Sequence, residues 1–370
     1  MINRTAMGYK SYLITVTDNL SATSMPFNEF VLYRRTHYPE EKQIVLLLFK
    51  TKADDSVTIP EDIDVYYIGK NRKLLAETAK RLINETREQG IPIVFHIHEA
   101  KSVLLFNVAT KFRYCNKIVY TLHSTYKNYP LHNKVFSACA SLMVKDVICV
   151  SKTSYKYYPW FLKSLRKKHV RAIQNGVDIE QINNTPPTLV PENDKMFTLI
   201  YVARLIPLKR HNILIDAISH CVGVKMVLVG IGPLEYEIKE FARSKGVIDR
   251  VEFKGLMPRQ RVFELLKNAD VYVSASSYEG LPVGVLEAMG CGLPCIVSDI
   301  EQHREIKEVI GSLILCDESP LNWTDKISLM QQMSEEDLRS IGENNRKKVE
   351  EHFSLEKMHR HYNEVYSFQT

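Results

Sequence analysis

Short runs of β-branched and aliphatic residues alternate along the chain with segments whose apolar positions recur at helical spacing. SYLITVT, QIVLLLF, IPIVFHIH, KIVYTLH and DVICVS read as strands in the first half. FTLIYVARL, KMVLVG, RVEFKG, ADVYVSAS and PCIVSD play that part in the second, and NILIDAISHC and RVFELLKNAD between them read as helices. Such alternation predicts parallel sheets covered by helices on both faces. The pattern breaks at IQNGVD (Ile173–Asp178), an Asn-Gly turn, and at the proline-rich NNTPPTLVPEND (Asn183–Asp194). Two doubly wound, Rossmann-like domains are therefore expected, over residues 1–177 and 196–352, with a linker over 178–195. Ligands bind such sheets beyond the carboxyl ends of the strands, so a cleft between the domains is the expected site.

Length and composition agree with two domains of middling size: 370 residues, 45% hydrophobic and 25% charged. The longest apolar runs, such as IVLLLF at Ile44–Phe49, fall far short of a membrane span. MINRTAMGYKSYLITV has no continuous apolar region or small-residue cleavage site, so secretion is not expected. Seven cysteines without a Cys-x-x-Cys pair point to free, buried thiols in a reducing, cytoplasmic compartment. Charge is uneven. Residues 1–180 hold 27 Lys and Arg against 16 Asp and Glu, whereas the remainder holds 22 against 27. A basic first half attracts anionic lipid, nucleic acid or a phosphorylated substrate, or simply faces water.

The chemistry concentrates in SSYEGLPVGVLEAMGCGLPCIVSD (Ser276–Asp299). Pro282 suits the first position of a helix, because its missing N–H would be unpaired there. Val283 and Gly284 then offer backbone N–H groups to an anion at the positive end of the helix dipole. Glu279 falls in the loop before the helix and Glu287 one and a half turns into it. Carboxylates would repel the phosphates of a ligand there, but they accept hydrogen bonds from hydroxyls. The charge complement lies in YVARLIPLKRHNILIDAI, where Arg204 ends a strand and Lys209 stands at the start of a helix. Taken alone, that pair also fits ordinary surface charges.

RLIPLK, LVGIGPLEYEI, the Glu-x7-Glu motif EGLPVGVLE and IQNGVD together resemble the retaining glycosyltransferases of family 4, which have the GT-B fold. HIHEA (His96–Ala100) and TLHST (Thr121–Thr125) are similar to that family's acceptor-domain patterns. EHFSLEKMHRHYNEVY resembles its closing helix, so residues 353–370 are expected to cross back to the first domain. The resemblance implies transfer of a hexose from a nucleotide-sugar donor to a hydroxyl of a glycan or lipid-linked acceptor, in surface polysaccharide or glycolipid synthesis. It implies retention of configuration and no metal or other cofactor. Arg204 and Lys209 would hold the diphosphate, with the N–H groups of Val283 and Gly284. Glu279 would bind the transferred sugar, Glu287 the ribose, and Gly255 and Leu256 would lie along the base. His123 would stand near the reacting carbon. Other readings are a GT-B sugar-nucleotide epimerase, or a non-catalytic GT-B-fold protein that binds lipid or nucleic acid. The presence of all four charged ligands argues against the non-catalytic readings.

Some features depart from the family. TDNLSATSMPFNEF lacks the glycine pair after the first strand, where Asn19, Ser21 or Ser24 would replace its contacts, and Glu301, Gln302 and His303 stand where many members carry glycines. Gly230–Gly232 lacks the third glycine of a dinucleotide fingerprint, since Glu235 stands there. Asp62–Asp64 is a lone Asp-x-Asp match. His96 and His98 share a strand face without a third metal ligand, so satisfied polar positions are the expectation. Cys291 and Cys295 read as core thiols. YKYYPWFLKSLRKKHVR (Tyr155–Arg171) mixes Trp160 and Phe161 with Lys163, Arg166, Lys167, Lys168 and Arg171. Either it docks on an anionic membrane face, making the protein peripheral at the inner side of the plasma membrane, or it packs on its own domain.

Overall fold

A computed structural model describes residues 8–18, 20, 26–50, 58–166, 169–187 and 196–366. Asn19, Ser21, Ser24, Lys167 and Lys168 lie outside the described residues. The chain divides into two units, Met1–Gln174 with His359–Thr370, and Asn175–Met358.

The first unit is built on a parallel sheet of seven strands. In chain order they are β1 (Ser11–Thr17), β2 (Glu41–Leu47), β3 (Asp64–Tyr67), β4 (Ile93–Ile97), β5 (Ile118–Leu122), β6 (Asp146–Cys149) and β7 (Val170–Ala172). Their spatial order is β3-β2-β1-β4-β5-β6-β7. Direction of travel reverses at β1, so the crevice beyond β1 and β4 is the switch point where doubly wound sheets take ligands. Every residue of β1, β4, β5 and β6 is buried, as a sheet covered on both faces requires.

The second unit repeats the plan with β8 (Phe197–Val202), β9 (Val224–Val229), β10 (Val251–Gly255), β11 (Val271–Ser274), β12 (Cys295–Ser298) and β13 (Ile314–Cys316). The order is β10-β9-β8-β11-β12-β13, all parallel, with the switch point between β8 and β11. That topology brings the loop carrying Arg204 and Lys209 beside the loop carrying Glu279.

Residues assigned from sequence to a linker are partly structured. Helix Ile179–Asn183 buries Ile179 and Ile182 in the second unit's core, and Ile182 packs beside Gly290. Lys267 secures its end by donating to the carbonyls of Ile182 (2.6 Å) and Thr185. The closing segment bends at Ser354 between helices Glu335–Phe353 and Leu355–Tyr366, and from His359 onward it belongs to the first unit. A buried ion pair fastens it there. Arg34 donates to both carboxylate oxygens of Glu41 (2.6 and 2.8 Å) and to Asn363 Oδ1 (2.8 Å). His359 Nε2 lies 2.7 Å from the Glu29 carbonyl and so carries the proton, which leaves Nδ1 to accept from Arg34 at 3.1 Å.

Asp62 and Asp64 are held in separate ion pairs. Asp62 binds Arg35 (2.6 Å) and Asp64 binds Lys42 (3.0 Å).

Candidate active site

The loops after β8 and β11 are laced together. Ser277 N–H donates to the Leu208 carbonyl (2.9 Å), and the Tyr201 hydroxyl lies within hydrogen-bonding distance of Ser276 Oγ (3.0 Å) and the Lys209 carbonyl (3.2 Å). Lys209 ends a short 3₁₀ turn, Pro207–Lys209, rather than starting the helix, which runs from His211 to Ser219. Between them Arg210 adopts the left-handed conformation (φ 47°) and donates to the carbonyls of Ala275 (2.7 Å) and Ser276 (3.2 Å). Held from both sides, Lys209 points its ammonium at Glu279, 2.5 Å away. Arg204 is exposed, and no described residue pairs with its side chain.

Gly230 and Gly232 bring a third loop against the first two. A β-carbon on Gly230 would fall 2.1 Å from the Ala203 carbonyl oxygen, and one on Gly232 would fall 2.2 Å from that of Leu205. The Leu205 N–H donates to the Ile231 carbonyl (3.0 Å) and the Leu234 N–H to the Leu205 carbonyl (3.1 Å). These glycines fix the backbone on either side of Arg204, which accounts for the motif without a dinucleotide.

Helix Val283–Gly290 starts one residue later than expected, because Pro282 is its cap and Val283 its first residue. The Val285 and Leu286 N–H groups return to the Pro282 carbonyl, so those of Val283 and Gly284 are the donors at the helix mouth. Gly284 is required by packing, since a β-carbon there would come within 2.8 Å of the Tyr272 hydroxyl. Further along the helix, Glu287 meets Arg259, the first residue of helix Arg259–Lys267, at 2.5 Å. Arg259 is a site residue without a local sequence signal. It lies four residues beyond Gly255, whose φ of +66° turns the chain out of β10; Leu256 beside it is half exposed.

His303 joins this group from helix Glu301–Ile310. Its ring is buried close enough to Glu279 and Lys209 to feel both charges, and burial pushes its pKa down to about 4. Nδ1 lies 2.7 Å from the Ser298 carbonyl and so bears the proton, leaving Nε2 as a buried acceptor with no partner among the described residues. Cys291 and Cys295 are free thiols raised by burial, Cys291 to about 12.

His123 lies in the first unit, just beyond β5. Its Nε2 is 2.9 Å from His98 Nδ1, and burial lowers its pKa to about 4. His96 is satisfied on both ring nitrogens, by Thr121 Oγ1 (2.7 Å) and the Tyr366 hydroxyl (2.8 Å), so it is a structural residue and not a metal ligand. Glu99 follows at the switch point. Its carboxylate accepts from Thr17 Oγ1 (3.0 Å), and burial, with Asp18 beside it, raises its pKa to about 8.

These shifts set the response to acid. His96, His98, His123, His211, His303 and His359 are all lowered by burial, with His123, His211 and His303 near 4. The unfolded chain binds their protons from about 6.5 downwards and the folded chain does not. Their contribution is therefore complete above about 6.5 and declines as pH falls below it, that of His123, His211 and His303 being lost as pH falls through about 4. Glu99 opposes them, since its raised pKa favours the fold increasingly as pH drops from about 8 to 4.5. Six groups outweigh one. Urea unfolding should show a lower midpoint at about pH 5 than at about pH 7; an equal or higher midpoint would contradict the burial of these rings as neutral groups.

Comparison with known proteins agrees with this geometry. Residues 35–181 match the family described as Glycosyltransferase Family 4, and residues 188–348 match Glycosyl transferases group 1. The chain belongs to these group 1, family 4 glycosyltransferases and has their GT-B fold. It is 34% identical over 148 residues to the putative glycosyltransferase EpsF of Bacillus subtilis, covering 37% of this chain and 38% of that protein. It is 25% identical over 232 residues to the UDP-Gal:alpha-D-GlcNAc-diphosphoundecaprenol alpha-1,3-galactosyltransferase of Escherichia coli, covering 57% and 59%. The matches thus span less than two thirds of each of these relatives. Among solved structures, Anabaena HepE in complex with UDP-glucose superposes with a TM-score of 0.75 at 20% identity, over 96% of this chain and 99% of that one. At that identity the likeness concerns the fold.

Proposed function

We propose that this protein transfers a sugar, with retention of configuration, from a nucleotide-sugar donor to a hydroxyl of a glycan or lipid-linked acceptor. The observation that carries the reading is the Lys209–Glu279 pair beside the open N-terminus of helix Val283–Gly290. A diphosphate seated on the Val283 and Gly284 N–H groups competes with Glu279 for the lysine. Once Lys209 turns to phosphate, Glu279 is released to accept hydrogen bonds from the hydroxyls of the transferred sugar. Arg259 and Glu287 make the same exchange possible at the ribose. Arg204, exposed and without a described partner, adds its fork to the phosphate oxygens. Positive charge at the leaving diphosphate lowers the barrier to its departure. The acceptor proton passes to a leaving phosphate oxygen, because no second carboxylate of the described site suits a nucleophile's place; His123 is assigned near the reacting carbon.

A structural neighbour described with UDP-glucose, and a relative named for a diphosphoundecaprenol-linked acceptor, support the donor and acceptor classes. We place the reaction in the cytoplasm, at the inner face of the plasma membrane when the acceptor is lipid-linked. The free thiols support a reducing compartment.

The test is release of nucleoside diphosphate across a panel of nucleotide sugars, with product anomers assigned by NMR. Inversion, or no release with any donor, would reject the reading. The glutamates separate its parts. Glu287→Gln should weaken binding of free nucleoside diphosphate by roughly 1–3 kcal/mol, because the ribose is present in that ligand. Glu279→Gln should spare that affinity and reduce turnover. Equal losses of diphosphate affinity by calorimetry would contradict the division of roles.

A further inference from the structure

One buried imidazole of the donor site has no task in the transfer. His303 is the third residue of helix Glu301–Ile310, which follows β12, and its ring is fully buried. The ring is fixed from one side. Nδ1 lies 2.7 Å from the Ser298 carbonyl and 3.3 Å from Ser298 Oγ, and that hydroxyl donates to the Ser276 carbonyl (2.5 Å). The imidazole is thereby tied through the end of β12 to the loop that carries Glu279. Because the Ser298 carbonyl takes the Nδ1 proton, Nε2 carries the lone pair. Burial holds the pKa near 4, so the ring is neutral at pH 7 and Nε2 remains an acceptor.

A buried acceptor needs a donor. Among the described residues none supplies one to Nε2. The charged groups that act on the ring are Glu279, Lys209 and Asp299. Neither carboxylate has a proton to give, and Asp299 is bound on both oxygens by Arg304 (2.6 and 2.8 Å). Lys209 spends its ammonium on Glu279, in a pair whose side chains are only 17% and 15% exposed. When a diphosphate draws Lys209 away, the cation leaves this corner and Nε2 still lacks a donor. Phosphate oxygens bring no proton at neutral pH. Sugar hydroxyls do, and the sugar that Glu279 is to hold is joined to that same diphosphate.

We propose that His303 selects the donor: its Nε2 accepts a hydrogen bond from one hydroxyl of the transferred sugar, beside those bound by Glu279, and a sugar without a proton donor at that carbon is rejected. This deepens the transferase reading and rests on it.

The test uses the nucleotide sugar that the full chain turns over, together with its deoxy analogues, one for each ring hydroxyl. For the wild type, kcat/KM should fall about 10–100-fold for the analogue that lacks the hydroxyl read by His303. His303→Leu and His303→Phe both remove the acceptor. In either, the parent sugar should drop towards that analogue, erasing discrimination at this carbon and preserving it at the others. His303→Gln, which keeps an amide oxygen, should restore part of the selectivity. Free nucleoside diphosphate carries no sugar, so calorimetry should find the same affinity in every variant. A role confined to packing would lower the melting temperature and slow all the donors alike. Such a uniform loss, or unchanged selectivity in both acceptor-free variants, would overturn the proposal and assign Nε2 to a buried water. A wild type that discriminates at no ring carbon would overturn it without any variant. Turnover with unaltered selectivity rejects this assignment alone, whereas no turnover of any nucleotide sugar rejects the transferase and the assignment with it.

Discussion

Lys209→Ala is expected to cut turnover about 10²–10³-fold, the range seen when one preorganised group opposite a developing negative charge is removed. The lysine sits at the switch point, held by the lacing of the β8 and β11 loops, with its ammonium on the Glu279 carboxylate at 2.5 Å. Removing it also strips a largely buried carboxylate of this cation, so the variant should lose stability as well. A Lys209→Met/Glu279→Gln double variant distinguishes the two effects. With both charges gone, the melting temperature should recover towards that of the wild type while turnover stays low. Restored turnover in the double variant would reduce the pair to a structural tie. Steady-state release of nucleoside diphosphate beside calorimetric melting gives both readouts.

Gly230→Ala should be among the most damaging single methyl additions in the second unit. The new carbon would fall 2.1 Å from a main-chain carbonyl oxygen, at a φ of +138° that side chains scarcely tolerate. Overpacking and backbone strain together should cost about 3–5 kcal/mol, or roughly 6–20 °C in melting temperature for a unit of this size. The same shift displaces the backbone around Arg204 and should weaken diphosphate binding. Gly246→Ala provides the control: its φ is +69° and no atom lies near the added carbon, so the cost should be about 1 kcal/mol. Equal melting temperatures for the two variants would show that the Gly230 loop relaxes away from the contact.

Most of the fold could be read from periodicity, and the strands that could not be share a position. The central strands are buried on both faces and announce themselves as unbroken apolar runs, as in SYLITVT and KMVLVG. The strands that escaped, β3 (DVYY), β7 (VRA) and β13 (ILC), are short and stand at sheet edges. With a neighbour on one side only, an edge strand buries less and needs fewer apolar residues. The site divides in the same way. Glu279, Glu287, Lys209 and the helix mouth belong to a compact motif and were visible. Arg259 was not, because the partner of Glu287 comes from another helix, 28 residues away in sequence. Arg210 was invisible as a clamp because its role depends on a left-handed backbone and on carbonyls of the neighbouring loop. The structural role of Gly230 and Gly232 is hidden in the sequence, since the carbonyls they accommodate lie at the end of a different strand.

The buried Arg34–Glu41 pair, closed by His359 and Asn363, bears on the order in which the chain can mature during synthesis. The second unit is continuous, Asn175–Met358, and emerges complete. The first unit emerges earlier but lacks the helix that carries His359 and Asn363 until Leu355–Tyr366 is made. At 5–20 residues per second the interval is roughly 10–40 s. Throughout it, a guanidinium and a carboxylate meant for the interior face solvent where the closing helix will lie. The first unit thus begins before the second and is finished after it, and a nascent chain stalled before His359 would present that unfinished surface to chaperones.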